Sequence, residues 1–170
     1  FISKKGKKNQ ISFKEPKTET ELIFEETALE TLNTLHNHPC IIYYTIFNEG
    51  WGQRKAEYFY NLLKGIDSSR IYDTCSGWFK GAESDVESEH IYFKTPNLEK
   101  EVKASEKPYI VSECGGYTLE FKENTYSVYG RYGYGACTSK EEFTKKFINL
   151  YEKMILPSIP HGMCGCVYTQ

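Results

Sequence analysis

No stretch of this chain is apolar for long enough to cross a bilayer, which takes about 20 consecutive, mostly apolar residues. The N-terminal region has no apolar core segment, so no secretory signal is read there. Neither sign of charge dominates. Lys and Arg number 21 against 23 Asp and Glu, and a net charge of -2 gives no general pull toward nucleic acid. The basic cluster Lys4-Lys5-Gly6-Lys7-Lys8 has no aromatic residue interleaved and reads as a solvated loop. No CxxC pair and no His-rich partner accompany the six cysteines. Cys114, Cys164 and Cys166 are the one conceivable thiol set, with Cys164 and Cys166 on one strand face, and structural thiols are favoured over zinc. No metal and no cofactor is expected. Reduced thiols favour a cytoplasmic protein. No fixed-period repeat or low-complexity linker divides the chain.

What is present reads as globular. Hydrophobic residues make 39% and charged residues 26%, which separates the chain from disordered sequences. Its 170 residues suffice for one sizeable core. The 14 tyrosines suit either a packed core or a sugar-binding cleft.

Periodicity predicts a helix from about Thr20, with Phe24, Ala28, Leu32 and Leu35 inward, Leu29 on the flank and the Glu residues outward. His38-Pro39 ends it. The run Cys40-Ile41-Ile42-Tyr43-Tyr44-Thr45-Ile46-Phe47 reads as a strand buried on both faces, as a central parallel strand is. A helix follows near 53–65, with Ala56, Phe59, Leu62 and Leu63 inward and Gly65 as its stop. Arg70 to Cys75 and Glu89 to Tyr92 read as strands. His90 and Tyr92 share the face opposite Ile91, toward the interior. A short helix is expected over Leu98 to Ala104 and a strand over 109–112. Residues 114–137 form a long Gly- and Tyr-rich connection, a candidate active-site loop. Ser139 to Ile155 is a helix with a capping box at Ser139-Lys140-Glu141-Glu142 and a stripe of Phe143, Phe147, Leu150 and Met154. Cys164 to Thr169 is a last strand. Such alternation means an α/β fold with parallel strands.

The chemistry-bearing residues gather at strand ends. Asn48-Glu49-Gly50-Trp51-Gly52-Gln53 follows one apolar strand, and Glu113 with Gly115-Gly116 follows another. Strand ends leading into Gly-containing loops are where barrel enzymes hold catalytic groups. Two carboxyl groups are the minimum for cleaving a glycosidic bond, and retention needs them about 5 Å apart. Asn48 suits a sugar hydroxyl, and Trp51 or Trp78 offers a flat face to the ring. Bland readings stand beside these. Either glutamate also suits a helix cap, His90 a hydrogen-bonded core position, and Tyr92 plain packing.

The residues also carry a family resemblance. His38-Pro39-Cys40 through Gln53 resembles the acid/base segment of family 2 glycoside hydrolases, the family of β-galactosidases, β-glucuronidases and β-mannosidases. Lys107 through Gly116 resembles its nucleophile segment. Ser76-Gly77-Trp78, Asp85-Val86, His90 with Tyr92, Gly133-Tyr134-Gly135, Thr138 to Glu142 and Val167 to Gln170 fit in order. The pattern is departed from at Ser88, Phe93 and Cys114. The resemblance implies a partial (β/α)8 TIM barrel, from roughly its third helix to its eighth strand. It implies a β-galactosidase-like, retaining hydrolase of β-glycosides, with Glu49 as acid/base, Glu113 as nucleophile, Asn48 on the sugar 2-hydroxyl and Tyr92 beside the nucleophile.

An eightfold barrel typically takes about 250 residues. The chain starts at Phe1 and stops on a strand, so residues 1–170 are expected to be part of a longer catalytic domain. Its open strand edge is expected to be covered by the missing N-terminal part or by self-association. The isolated segment is expected to have weak activity or none. The alternatives are a non-catalytic carbohydrate-binding fragment and an unrelated α/β interaction module.

Overall fold

Thr18 begins the first helix. Its hydroxyl accepts from the Glu21 amide and the Glu21 carboxylate accepts from the Thr18 amide, a reciprocal cap that satisfies two of the donors a helix start leaves open. The computed structural model describes residues 17–50, 53–78, 80, 82–121 and 133–169. The chain divides after Val86 into two compact units.

The first unit runs α1 (Glu19–Leu35), β1 (Tyr43–Phe47), α2 (Ala56–Ile66), β2 (Ile71–Cys75). The two strands pair in parallel, Tyr43 opposite Ile71 and Phe47 opposite Cys75. Leu32, Leu63 and Tyr72 form the centre of its core, with Ala28, Leu29, Tyr44, Ile46 and Tyr60 around them. Phe24 stacks on Phe47 and meets Phe59 edge-on.

Three expectations need correcting in this unit. The run 40–47 is not buried on both faces. Ile42 and Thr45 are exposed, the strand begins at Tyr43, and only Phe47 is buried. The reason is its partnering, since among the described residues β1 pairs with β2 alone. Gly65 does not stop α2. The helix runs one residue further, and Asp67 ends it in extended geometry while its carboxylate accepts from the Ser69 amide and hydroxyl. Glu21 does not face outward. It is buried and is paired with Arg54 at 2.8 Å and Lys55 at 3.1 Å.

The second unit runs β3 (Glu87–Ile91), α3 (Glu99–Ala104), β4 (Tyr109–Gly115), β5 (Tyr117–Leu119), β6 (Gly135–Cys137), α4 (Lys140–Leu150), a π-helical turn (Tyr151–Ile155), α5 (Leu156–Ser158), a 3-10 turn (Ile159–His161) and β7 (Met163–Thr169). β3, β4 and β7 form a parallel sheet with β4 in the middle. Parallel neighbours need crossovers, and α3 and α4 supply them. Ile91, Leu98, Val102, Tyr109, Val111, Cys114, Leu150, Met154, Ile155 and Met163 make the core between the sheet and these helices.

Here too the structure differs in places. β4 continues past Glu113 to Gly115. Residues 114–137 are not a plain loop, for β5 and β6 pair in parallel within them, while 122–132 lie outside the described residues. Ser139 caps α4 by accepting from the Glu142 amide, but the Glu142 carboxylate turns to the Thr138 amide and hydroxyl instead of closing a box. Phe147 is partly exposed and lies against Tyr151 and Tyr168 rather than deep in the core. β7 carries an extra residue opposite Tyr109 and Ile110, so Cys164 is exposed while Cys166 packs on the core. The two thiols therefore do not share a face.

Candidate functional site

In the first unit β1 and β2 end side by side. Phe47 is opposite Cys75, and the Ser76 amide donates to the Phe47 carbonyl at 2.9 Å. The segments after β1 and β2 therefore leave the same, C-terminal end of two adjacent parallel strands. One carries Asn48 and Glu49, the other Trp78. Asn48 is exposed and Glu49 half-buried. Gly50 adopts a left-handed φ of 71°, which bends the chain directly after the glutamate. The Gln53 side-chain amide donates to the Asn48 carbonyl at 2.6 Å and ties the two ends of this segment together. Trp78 is 53% exposed, so its ring has an accessible face. Trp51 lies outside the described residues.

Two carboxylates, Asp73 buried and Asp85 half-buried, support that strand pair, and nothing in the spacing marked the first. Asp73 on β2 accepts from the Tyr43 hydroxyl at 2.8 Å, and burial, then the Asp73 charge, push the Tyr43 phenol well above its ordinary value. Asp85 accepts from Tyr60 at 2.9 Å, Lys64 at 2.8 Å and the Tyr72 amide at 2.8 Å, and so pins α2 to β2. Burial is the largest influence on its carboxyl, yet these donors together hold its pKa below the ordinary value.

In the second unit Glu113 owes its position to a bulge. Tyr109 and Val111 point into the core, and strict alternation would send residue 113 after them. Instead Glu89 pairs with Val111 and His90 with Glu113, so β4 has one residue more than β3 over that interval. The same excess shows against β7, where Val111 is opposite Cys166 and Cys114 opposite Tyr168. A bulge of this kind inverts the side-chain parity beyond it. Cys114 returns to the core and Glu113 is turned to the other face of the sheet.

On that face Glu113 meets the two residues that β3 was expected to offer. The Tyr92 hydroxyl donates to Glu113 Oε2. His90, with a fully buried side chain, has Nδ1 3.6 Å from the same oxygen, an ion pair whenever the imidazole is charged. The Glu113 side chain remains 28% exposed. A carboxylate oriented by a phenol donor and still reached from outside suits attack on an electrophilic carbon. The neighbouring Cys114 does not compete, because burial, then Cys166, pushes its thiol up to about 12.

Two further residues shape this face. Tyr134 lays its ring flat on that of Tyr92, centroids 3.6 Å apart and planes 12° apart. Phe93 stands 81% exposed at φ 63°, with the Lys94 amide donating to the Tyr92 carbonyl at 2.8 Å, a γ-turn centred on the phenylalanine.

Glu113, His90 and Tyr92 are thus together in the second unit, and Asn48, Glu49 and Trp78 share a strand end of the first. Comparisons with known proteins agree with the α/β reading. The structure resembles that of an uncultured Clostridium sp. beta-glucuronidase with a TM-score of 0.56 at 17% identity, a likeness of fold. The match covers 86% of this chain and 28% of that one, so the chain spans little more than a quarter of its structural relative. No curated protein matches. The family model described as "Glycosyl hydrolases family 2, TIM barrel domain" matches residues 2–158. The chain belongs to that family, and its parallel strands and crossover helices are part of the TIM barrel domain.

Proposed function

We propose that the protein hydrolyses β-glycosidic bonds with retention, Glu113 acting as nucleophile and Glu49 as acid/base. The observation that carries this reading is the setting of Glu113. A bulge turns it out of an apolar core at the C-terminal end of a parallel strand, and the Tyr92 hydroxyl holds one of its oxygens. C-terminal strand ends are where barrel enzymes of every characterised chemistry keep their reacting groups.

In the first step a Glu113 oxygen bonds to the anomeric carbon as the bond to the leaving oxygen breaks, and Glu49 gives its proton to that oxygen. In the second, Glu49 takes a proton from water. The water oxygen bonds to the anomeric carbon, and the ester to Glu113 breaks. The Tyr92 donor stabilises Glu113 when it leaves as a carboxylate. Asn48 is proposed to bond the sugar 2-hydroxyl, Trp78 and Trp51 to offer ring faces, and His90 to line the sugar-binding side of Glu113.

The test uses the full-length protein and a panel of p-nitrophenyl β-glycosides. β-Galactoside heads the panel with β-glucuronide, the latter because the structural relative bears the name beta-glucuronidase. Turnover is expected on at least one, falling to background in Glu113→Gln. A 2-deoxy-2-fluoro analogue of the active glycoside should leave its sugar on the peptide containing Glu113, read by mass spectrometry. In Glu49→Gln, azide should restore turnover of an activated aryl glycoside, because such a leaving group needs no proton and azide, unlike water, attacks the glycosyl-enzyme without a base and leaves with the sugar as the glycosyl azide. Label on another residue, or full activity in Glu113→Gln, would overturn the assignment.

A further inference from the structure

The Gly133-Tyr134-Gly135 motif is not used by the reaction just described, yet its geometry leads to Glu113. β5 and β6 are only three residues each, and their pairing sets Tyr117 opposite Gly135. Just before that pair, the Tyr134 amide donates to the Gly116 carbonyl at 2.9 Å. Both glycines of the motif lie against β5. A Cβ on Gly133 would stand 2.4 Å from Thr118 Cγ2, and one on Gly135 would stand 3.0 Å from the Tyr117 ring. Gly116 is equally constrained. It sits at φ 64°, and a Cβ there would stand 2.5 Å from the Tyr134 ring. Three glycines therefore clear the space in which one tyrosine is seated.

The seat fixes where the Tyr134 ring goes. It lies flat on Tyr92 at 3.6 Å, and the edge of Phe93 stands against it at 5.5 Å. Tyr92 is buried and spends its hydroxyl on Glu113. A phenol on an sp³–sp² torsion is softly held about its own axis. Turning about that axis leaves the oxygen in place but swings the O–H bond, which prefers the ring plane, so a ring stacked on the face keeps that bond aimed at the carboxylate. We infer that Tyr134 is a positioning residue, which orients the nucleophile Glu113 through the ring of Tyr92. Gly116, Gly133 and Gly135 supply the clearance that lets it do so. The inference rests on the hydrolase reading above and adds to it a residue that acts through the ring of Tyr92.

The experiment is a double-variant cycle in the full-length protein, on whichever p-nitrophenyl glycoside it turns over best. Tyr134→Ala is expected to lower kcat by roughly tenfold or more, with KM within about threefold, since alignment of a reacting group is lost and ground-state binding is not. Tyr134→Phe, which keeps the ring, should stay within about threefold of the wild type. The deciding measurement is Tyr92→Phe with and without Tyr134→Ala. If Tyr134 acts through Tyr92, removing it from the Tyr92→Phe protein should cost less than about twofold. A merely structural role would lower both backgrounds by the same factor, and that outcome overturns the inference. So does a Tyr134→Ala protein as active as wild type. Should Tyr134→Ala fail to fold, as read by its melting transition, Tyr134→Leu replaces it in the same cycle. Its apolar bulk fills the seat without a flat face. A wild-type protein that turns over no β-glycoside overturns the hydrolase reading and this inference together, whereas an active one with multiplicative losses overturns the inference alone.

Discussion

Phe93 is held at a backbone angle that bulky side chains rarely adopt, with most of its ring in the open. Such a residue costs about 1–3 kcal/mol of local strain. Glycine relieves the strain but is less constrained when unfolded, at a cost of roughly 0.5–1 kcal/mol. Phe93→Gly is therefore expected to leave stability within about 1 kcal/mol of wild type or to raise it, measured by chemical denaturation. A loss of several kcal/mol would mean that the edge contact with Tyr134 matters more than the strain. Cys114 is the opposite case, a reactive atom made inert. Its thiol is buried and pushed up to about 12, so the native protein at neutral pH should leave Cys114 unalkylated by iodoacetamide. Cys40 and Cys164, both exposed in this chain, should label first. Peptide mass mapping before and after denaturation checks both statements.

At the scale of elements, the helix starts carry an acid-sensitive part of the stability. The Glu21 carboxyl is held down to about 2, first by the Thr18 amide and then by Arg54 and Lys55. Glu142 is likewise held to about 2, first by the Thr138 amide. A folded-state value below the unfolded one, about 4.5, means stability that is present above that pH and lost as pH falls toward about 2. Glu21→Gln should flatten the dependence of unfolding midpoint on pH across that window. It should also lower stability at pH 7, because the buried side chain of Lys55 loses its ion pair with that carboxylate. An unchanged slope would mean that the cap persists in the unfolded chain. The second unit depends on apolar packing from α4 and the turn after it. Leu150 is buried in its core, and Leu150→Ala is expected to destabilise by about 2–5 kcal/mol in a denaturant titration.

For the whole molecule, the stereochemistry of the product is the most direct readout. A two-step displacement through Glu113 predicts that the β anomer forms first and mutarotates later, seen by proton NMR on the full-length protein. An α anomer formed first would mean direct attack by water and would remove Glu113 from the nucleophile role. The chain spans 28% of the length of its structural relative, so such measurements belong to the full-length protein.

Parallel α/β order was legible because helix and strand periodicities differ and each segment held to one of them. Leu32, Leu63, Leu150 and Met154 fall on apolar stripes and are buried. Glu113 was singled out by its place at a strand end, His90 and Tyr92 by sharing one face of an alternating strand, and the fold brings those three together. What could not be read is equally specific. Alternation from Tyr109 points residue 113 into the core, and only the pairing of β4 with both neighbours reveals the extra residue that turns it away. The seat of Tyr134 depends on β5 meeting β6 across residues distant in sequence. The burial of Glu21 depends on α2 beginning with cations beside it. By itself the sequence determined the longer helices and strands, though not β5 and β6, which family the chain resembles and which acids stand near strand ends, because those follow from local periodicity and residue type. Tertiary structure alone decided which way Glu113 faces and what orients it, because register and bulges are set by hydrogen bonding between strands and have no signature within any one of them.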